Sequence, residues 1–154
     1  FKDAKDKDGI VVITSNKPFT TKKNIYLKNG FEICDKAEPY FELLVKKFNS
    51  NAPTPKFNDS VKKMEVEDKN GIVIYYAHQC PYFELHIGKM IEICKEYNIP
   101  AKKILINNKE LAQNFPSAFG TCSMFYNGKF ITHELWRENK LREFLSLKFN
   151  SQKL

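Results

Sequence analysis

The alternation of strand-like and helix-like segments between residues 71 and 149 constrains the fold most. A short apolar run, IVIYYA, precedes a longer stretch in which apolar residues recur every three or four positions. A second run, KKILIN, and a short helical stretch, KELAQN, come next. SMFY and KFITH then flank Asn127-Gly128, the strongest short signal for a two-residue hairpin. With an amphipathic stretch over 137–148, the predicted order is β-α-β-α-β-β-α.

The long predicted helix in this series begins beside Cys80-Pro81. Proline suits a first helical position, because the N–H that it lacks has no partner there in any case. Cys80 is therefore predicted at the N-cap of the helix, and Asn107 or Asn108 is predicted to cap the next helix. The long helix has an apolar stripe that should face the sheet, and the last helix has an inner face. The stripe of the long helix consists of Phe83, Ile87, Met90, Ile91, Cys94 and Tyr97. The inner face of the last helix consists of Leu141, Phe144, Leu145 and Phe149.

Residues 1–48 form a second block with fewer elements. IVVIT is predicted as a buried strand, and TTKKNIYLKNG as a helix with Thr20 or Thr21 as N-cap and Gly30 as its stop. FEICDKA and PYFELLVKKF are predicted as a hairpin joined at Glu38-Pro39. Three strands and one helix can hardly bury an independent core, so we expect this block to belong to a larger domain.

A polar connector follows the first block, and it divides the chain into three predicted segments. SNAPTPKFNDS holds two prolines in three positions, which favours an extended chain. Ser60 is predicted to cap a short helix through VKKMEVED. The predicted boundaries are 1–48 for the incomplete domain, 49–70 for the linker and 71–150 for the second domain.

Charge and composition exclude several classes of protein. The formal net charge is +7, but the basic residues are spread along the chain, so nucleic acid is not an expected partner. A basic surface does attract anions, including phosphorylated cofactors. No apolar run approaches the roughly 20 residues that span a bilayer, and no signal peptide is visible, so we expect a cytoplasmic protein without a membrane partner. The four cysteines include no CxxC pair, so no metal site is predicted.

Two resemblances accompany these patterns. The order of elements in 71–149, with Cys-Pro-Tyr after the first strand, resembles the thioredoxin/glutaredoxin fold. IYLKNGFEICD resembles the C-terminal half of GNAT-family N-acetyltransferases, where an aromatic-x-x-x-Gly-Phe element ends the last helix before the final two strands. The tandem, with FELLVKKF, QCPY and FYNGKF, resembles the YoaP-like domain of certain bacterial GNAT proteins. The expected fold class is therefore α/β (α+β), half a GNAT fold followed by a thioredoxin-like domain.

The GNAT resemblance implies transfer of an acetyl group from acetyl-CoA to a small-molecule or peptide amine. Tyr26 would be the general acid for the leaving thiolate and a cofactor contact, and Lys22 and Lys23 would meet the cofactor's phosphates. Thr20 and Lys23 stand where the family often has Asn and Ala, which weakens this assignment. The alternatives are that Tyr26 packs the helix onto the sheet and that Lys22 and Lys23 are solvated side chains on a helix face. No Arg/Gln-x-x-Gly-x-Gly/Ala phosphate loop occurs in the 154 residues, so we expect it to precede residue 1 in a longer enzyme.

The thioredoxin resemblance implies chemistry at Cys80. A helix N-terminus stabilises a thiolate, and His78 would add to this effect if it is protonated. Phe83 replaces the usual second cysteine, although monothiol glutaredoxin-like proteins can use glutathione as the second thiol. Gly120 stands where the fold normally has a cis-proline, and the nearest proline is Pro116. Both departures argue against an ordinary oxidoreductase, and a structural thiol is the alternative. Tyr82 and Cys122 are the other expected neighbours of the thiol.

The residues and the resemblances leave three functions open. The favoured one is the C-terminal portion of an acetyl-CoA-dependent N-acetyltransferase with an accessory domain for substrate binding, homodimerisation or redox sensing. A monothiol thiol-disulfide protein that uses Cys80 is the second. A non-catalytic interaction module is the third, and it predicts a partner surface that survives Cys80→Ser.

Overall fold

The computed structural model describes residue 4 and residues 6–151, with side chains described as far as 148. The chain is of mixed α/β type, and its described part contains two sheets and five helices. It divides into two compact units, Phe1–Lys63 and Met64–Leu154. We call them the N-terminal unit and the C-terminal unit. No helix in the described part of the chain is long and apolar enough to cross a membrane.

The N-terminal unit is built on a three-stranded antiparallel sheet. The β-branched run after Gly9 forms the first strand, β1 (Gly9–Ser15), as predicted, but the strand is not buried throughout, because Val11 and Ile13 are 47% and 39% exposed. The third strand, β3 (Phe41–Lys47), lies between β1 and β2 (Glu32–Ala37). The predicted hairpin between β2 and β3 turns at Glu38-Pro39, which is a cis peptide. Phe31, Phe41 and Leu44 are among its buried residues. The elements are β1 (Gly9–Ser15), α1 (Lys23–Lys28), β2 (Glu32–Ala37), β3 (Phe41–Lys47) and α2 (Asp59–Lys63).

The start of α1 differs from the sequence-based prediction. Neither Thr20 nor Thr21 caps the helix, because its N-cap is Lys22, which provides no side-chain hydrogen bond. The Thr20 hydroxyl is instead directed to the carbonyl oxygens of Ser15, at 2.9 Å, and Lys17, at 3.0 Å. The threonine therefore closes the preceding loop instead of beginning the helix.

The end of α1 follows the prediction. Gly30 has a φ of 77°, a left-handed conformation that glycine adopts without a steric cost. The Gly30 N–H donates to the Leu27 carbonyl at 3.1 Å, and the Phe31 N–H donates to the Tyr26 carbonyl at 3.2 Å. This pair of bonds is a Schellman motif, which satisfies carbonyls in the last turn.

The connector after β3 is bound to the N-terminal unit. The Asp35 carboxylate accepts a hydrogen bond from the Phe57 N–H at 2.8 Å and pairs with the Lys62 ammonium at 3.0 Å. Helix α2 begins at Asp59 and ends at Lys63, so Ser60 lies inside it and is not its cap, and the helix does not extend through VKKMEVED as predicted. The Lys62 N–H bonds to the Asn58 carbonyl, one residue before the helix.

The C-terminal unit has the predicted order β-α-β-α-β-β-α after residue 71. Its four-stranded sheet is formed by β4 (Ile72–Tyr76), β5 (Ala101–Leu105), β6 (Cys122–Tyr126) and β7 (Lys129–Thr132). The order is β5-β4-β6-β7, in which β4 and β5 are parallel and the other two pairs are antiparallel. Asn127 and Gly128 have φ values of 48° and 83°, as a tight hairpin turn requires. The elements are β4 (Ile72–Tyr76), α3 (Phe83–Glu96), β5 (Ala101–Leu105), α4 (Lys109–Asn114), β6 (Cys122–Tyr126), β7 (Lys129–Thr132) and α5 (Glu138–Ser151).

The core of this unit lies between the sheet and the apolar faces of α3 and α5. The predicted stripe of α3 is buried or partly buried, and Ile93 joins it. Leu141, Leu145 and Phe144 pack in the same cluster, whereas the side chain of Phe149 is outside the described residues. Asn108 caps α4, as one of the two predicted alternatives, by accepting a bond from the Leu111 N–H at 2.8 Å.

Candidate functional site

A groove at the junction of β1 and α1 contains two of the predicted cofactor-binding residues. It has a volume of about 410 Å³. Lys22 and Lys23 both line it, whereas Tyr26, one turn further along α1, does not. The lining residues are Ser15, Asn16, Lys17, Pro18, Thr20, Lys22, Lys23 and Asn24.

The lysines of the groove differ in their pairing. Lys23 forms an ion pair with Glu42 at 2.8 Å, so much of its charge is neutralised locally. Lys22 is exposed at the N-cap of α1. Lys17, which sequence reasoning missed, lies with its Nζ 5.5 Å from the centre of the Tyr40 ring. The Pro18 break marks a loop, but sequence alone did not show that it folds back beside the helix.

Tyr26 has a structural contact and an available hydroxyl. Its ring meets Phe31 edge to face, with 5.4 Å between the ring centres. This contact joins the two ends of the Schellman motif. Within the described part of the chain the hydroxyl has no hydrogen-bond partner. The ring therefore packs the helix, as the alternative interpretation expects, while the oxygen remains available to a ligand.

Cys80 lies in the turn between β4 and α3, and not at the helix N-cap. The N-cap is Tyr82, so the predicted position of the thiol was wrong by two residues. The reason is a turn in which the Phe83 N–H bonds to the Cys80 carbonyl at 3.3 Å, before the regular helix begins. Cys80 is half-buried, and both His78 and Tyr82 are exposed on either side of it.

Cys122 is a poor thiol partner in this structure. It is only 2% exposed, and burial raises its pKa to about 12. It lies in β6 opposite Tyr76 of β4. Cys94, predicted as a core residue, is fully buried with its pKa raised to about 11 by burial. All four cysteines are free thiols, so no disulfide joins Cys80 to Cys122.

Three elements meet in a polar cluster close to the Cys80 turn that sequence reasoning did not find. The Tyr76 hydroxyl donates to Glu84 of α3, and Lys103 of β5 forms an ion pair with the same carboxylate. The bond from Lys103, followed by that from Tyr76, lowers the pKa of Glu84. The bond to Glu84 in turn raises the pKa of Tyr76. The cluster ties the first turn of α3 to the sheet.

Two further expectations concern prolines and metals. Pro116 is buried, and Glu38-Pro39 is the cis peptide found in the described part of the chain. Gly120, at the position expected for a cis-proline, is exposed. Among the described residues, no group of three or more His, Cys, Asp or Glu side chains is arranged to hold a metal ion.

Comparison with known proteins gives two matches. Residues 100–142 match the family described as YoaP-like. The chain is 35% identical over 141 residues to a Bacillus subtilis (strain 168) protein named "Uncharacterized N-acetyltransferase YoaP". The match covers 90% of this chain and 56% of that protein, so the chain spans little more than half the length of this relative. No solved structure matches. The chain thus contains a YoaP-like segment and is similar, along most of its length, to a protein named as an N-acetyltransferase.

Proposed function

We propose that the chain is the C-terminal part of an acetyl-CoA-dependent N-acetyltransferase. The observation that carries the proposal is the 35% identity over 141 residues to a relative with that name. This alignment is too long to be confined to the C-terminal unit, and it therefore includes much of the N-terminal one. In this proposal the enzyme transfers an acetyl group to a small-molecule or peptide amine in the cytoplasm.

In this proposal the N-terminal unit is the C-terminal half of a GNAT domain. The succession β1-α1-β2-β3 is consistent with it, as is Gly30-Phe31 at the end of α1. Exposed apolar side chains also support it, since Val11, Ile25 and Leu27 are each at least 40% exposed. An upstream half would supply the partners that such side chains need.

Acetyl-CoA would supply the acetyl thioester, and this chain contributes part of its site. The groove lysines suit phosphate groups, but the 154 residues contain no Gly-rich phosphate loop. We therefore expect the 154-residue chain to bind acetyl-CoA only weakly. Tyr26 would act as the general acid that donates a proton to the leaving thiolate of CoA. Direct attack by the amine would depend mainly on positioning.

The C-terminal unit is proposed as a thioredoxin-fold accessory domain. Its order of elements and the Cys-Pro-Tyr turn after β4 support this assignment. Binding of the amine substrate, homodimerisation and redox sensing are its proposed roles.

The test starts with the intact mass of the protein isolated from its source. A mass well above 18.0 kDa would identify the longer enzyme, whose release of free CoA thiol from acetyl-CoA is then measured with a panel of amines. Tyr26→Phe keeps the ring contact with Phe31 and removes only the hydroxyl, so it should lower kcat by about 100-fold. Tyr97→Phe, in the C-terminal unit, is the matched control. Full activity of Tyr26→Phe would reduce Tyr26 to a packing role.

A thiol-disulfide function at Cys80 is the second candidate. The half-buried, free thiol between exposed His78 and Tyr82 favours it. In this alternative a thiolate at Cys80 attacks a disulfide and forms a mixed disulfide while the other sulfur leaves as a thiolate. Glutathione thiolate then attacks the mixed disulfide and releases Cys80. Mixed-disulfide formation with oxidised glutathione, followed by mass spectrometry, tests it against Cys80→Ser. If Cys80 exchanges no faster than an ordinary exposed cysteine, the candidate fails.

A further inference from the structure

A second pocket of the N-terminal unit lies where β2, β3 and the connector meet. Its volume is about 490 Å³, and none of its lining residues belongs to the groove at β1 and α1. It combines two charged side chains, a thiol, a hydroxyl and apolar side chains. We call it the β2–β3 pocket, and its lining includes Glu32, Ile33, Cys34, Val45, Lys47 and Thr54.

A β-bulge shapes the β2 wall of this pocket. The two neighbours of Cys34 in β2 lie opposite Leu44 and Leu43, which are consecutive in β3, so Cys34 is the extra residue of the bulge. Its thiol donates to the Leu43 carbonyl, with 3.4 Å between sulfur and oxygen. Bulges are frequent beside binding sites, because they change the direction of a side chain. Here the bulge brings the thiol to the pocket wall.

The cation of the pocket is held in place but is not neutralised. The Lys47 ammonium donates to the Ala52 carbonyl at 2.7 Å and to the Thr54 hydroxyl at 3.0 Å. Among the described residues Lys47 forms no ion pair. An ammonium has three donors, so one is left, and a hydroxyl that accepts one bond can still donate its own hydrogen. Lys47 and Thr54 together therefore suit a carboxylate.

A carboxylate lies on the same face of the sheet. Glu32 is opposite Val45, and Lys47 is two residues beyond Val45, so the three side chains share one face. In the part of the chain that the structure describes, the Glu32 carboxylate has no ion pair or hydrogen bond. Ile33 is 39% exposed and adds apolar surface. The pocket thus presents a positive and a negative group on either side of an apolar wall.

We propose that the β2–β3 pocket binds a small zwitterion, a molecule with one carboxylate and one ammonium, such as a free amino acid with an apolar side chain. Lys47 and Thr54 bind the carboxylate, and Glu32 binds the ammonium. Val45 and Ile33 contact the apolar side chain. A simple anion would be repelled by Glu32, and a simple cation by Lys47. The volume is in the range of small-molecule sites. The inference does not rest on the acetyltransferase proposal, because neither acetyl-CoA nor the groove takes part.

The test uses the 154-residue chain and three probes. Leucine carries both charges, N-acetyl-leucine lacks the ammonium, and leucinamide lacks the carboxylate. Each probe is titrated into ¹⁵N-labelled protein, and amide shifts are followed by NMR. We expect saturable shifts in residues 30–34, 45–47 and 52–54. Leucine should bind about threefold or more tightly than each analogue, because it alone engages both charged side chains.

Cys34 provides an independent readout. Its thiol is free and lines the pocket, so bound leucine should slow its alkylation by N-ethylmaleimide. The reaction is run at mildly alkaline pH, because burial raises the pKa of this thiol. Cys80, in the C-terminal unit, is the internal reference, and its rate should not change. Peptide mass spectrometry measures both rates, and equal slowing of the two thiols would contradict binding in the pocket.

Two charge variants should give opposite patterns. Lys47→Gln should weaken leucine and N-acetyl-leucine by about threefold and should not weaken leucinamide. Glu32→Gln should weaken leucine and leucinamide by about threefold and should not weaken N-acetyl-leucine. A damaged fold would weaken all three probes, and Glu32→Gln removes no bond of the connector. Lys28→Gln and Glu143→Gln, exposed residues outside the pocket, are the matched controls and should change nothing.

Several results would overturn the inference. They are no saturable binding of leucine, shifts located elsewhere, or an analogue that binds as tightly as leucine. Tighter binding of glutarate, a dicarboxylate, would indicate a simple anion site and would also overturn it. Absence of acetyl transfer in the longer enzyme would refute only the proposed function, because these titrations use no cofactor.

Discussion

At the scale of single residues, the cysteines should differ sharply in reactivity. Thiolate is the reactive form, and burial raises the pKa of Cys94 to about 11 and that of Cys122 to about 12. Cys80 is half-buried and outside the core. We expect iodoacetamide at pH 8 to modify Cys80 first and to leave Cys94 and Cys122 unmodified in the folded protein. Peptide mass spectrometry measures the order, with the urea-unfolded protein as the control. Early modification of Cys122 would contradict its burial.

Asp35 should make stability depend on pH. The bond from Lys62, followed by that from the Phe57 N–H, holds its pKa below the ordinary value of 3.8. A carboxyl with a lowered pKa stabilises the folded state above its ordinary value, and this stabilisation is lost as pH falls through the folded value. Asp35→Asn should therefore unfold at lower urea than the wild type at pH 7, and the difference should shrink below pH of about 4.

The control for this prediction is Asp6→Asn. Asp6 is exposed and pairs only with its neighbour Lys7 in the described structure. The Asp6→Asn substitution should leave the urea midpoint nearly unchanged both at pH 7 and below a pH of about 4. A difference for Asp35→Asn that stays constant as the pH falls would show that the carboxylate's charge is not what holds the connector.

At the scale of elements, the cap of α4 provides a direct test of helix stability. Asn108 accepts the Leu111 N–H at 2.8 Å, and an alanine would leave that donor without its partner. Asn108→Ala should therefore cost about 1 kcal/mol in the free energy of unfolding. Asn107→Ala is the matched control and should cost less, because Asn107 does not cap the helix and only accepts a bond from the Asn108 side-chain amide at 3.1 Å. Urea titration measures both, and equal losses would contradict the role of the cap.

Two glycines with positive φ should differ in their tolerance of alanine. Gly71 has a φ of 72°, and an added Cβ would collide with the carbonyl oxygen of Pro100. That carbonyl already accepts the Ile72 N–H at 2.8 Å, so it cannot move without breaking the bond. At Gly128 the obstacle is the flexible side chain of Lys69. Gly128→Ala should cost about 1–2 kcal/mol for backbone strain alone, and Gly71→Ala more. The reverse order in urea titrations would refute this explanation.

The starts of α1, α3 and α4 show where sequence reasoning reaches its limit. Asn108 caps α4 by a bond within four residues, so local sequence was sufficient to predict it. Thr20 has the same capping chemistry, but carbonyls in the folded loop take its hydroxyl instead. At α3 a turn from Cys80 to Phe83 delays the regular helix. Local preference predicts a cap only when nothing else in the fold competes for the same group.

At the scale of the whole molecule, the order of elements was predictable and the candidate groove only in part, since Lys22 and Lys23 were predicted and Lys17 was not. Periodicity and turn dipeptides are local, so they placed the elements between residues 71 and 149 correctly. The groove combines residues of a closed loop with residues at the start of α1, and the Glu84 cluster joins residues from three elements. Such meetings depend on pairing between strands and on loop closure, which a single sequence does not specify.

The boundary of the C-terminal unit depends on the segment 64–66. The sequence suggests that a domain starts at residue 71, but residues 64–66 contact the β6–β7 hairpin. The Val66 N–H bonds to the Gly128 carbonyl at 2.8 Å, and the Phe130 N–H bonds to the Met64 carbonyl at 3.1 Å. Met64 and Val66 are each only 6% exposed. Removing this segment would therefore expose apolar surface and leave hydrogen-bonding groups without their partners.

We expect a fragment of residues 64–154 to fold alone, because it contains a complete sheet and its own core. A fragment of residues 71–154 should unfold at lower urea, by an amount comparable to losing two buried side chains, which is about 3–6 kcal/mol. Dispersed NMR amide signals and a cooperative urea transition are the measurements. Leu141→Ala in the longer fragment is the control for a known core loss of about 2–5 kcal/mol. Equal stability of the two fragments would support the predicted boundary at residue 71, and failure of both to fold would mean that the C-terminal unit depends on the rest of the chain.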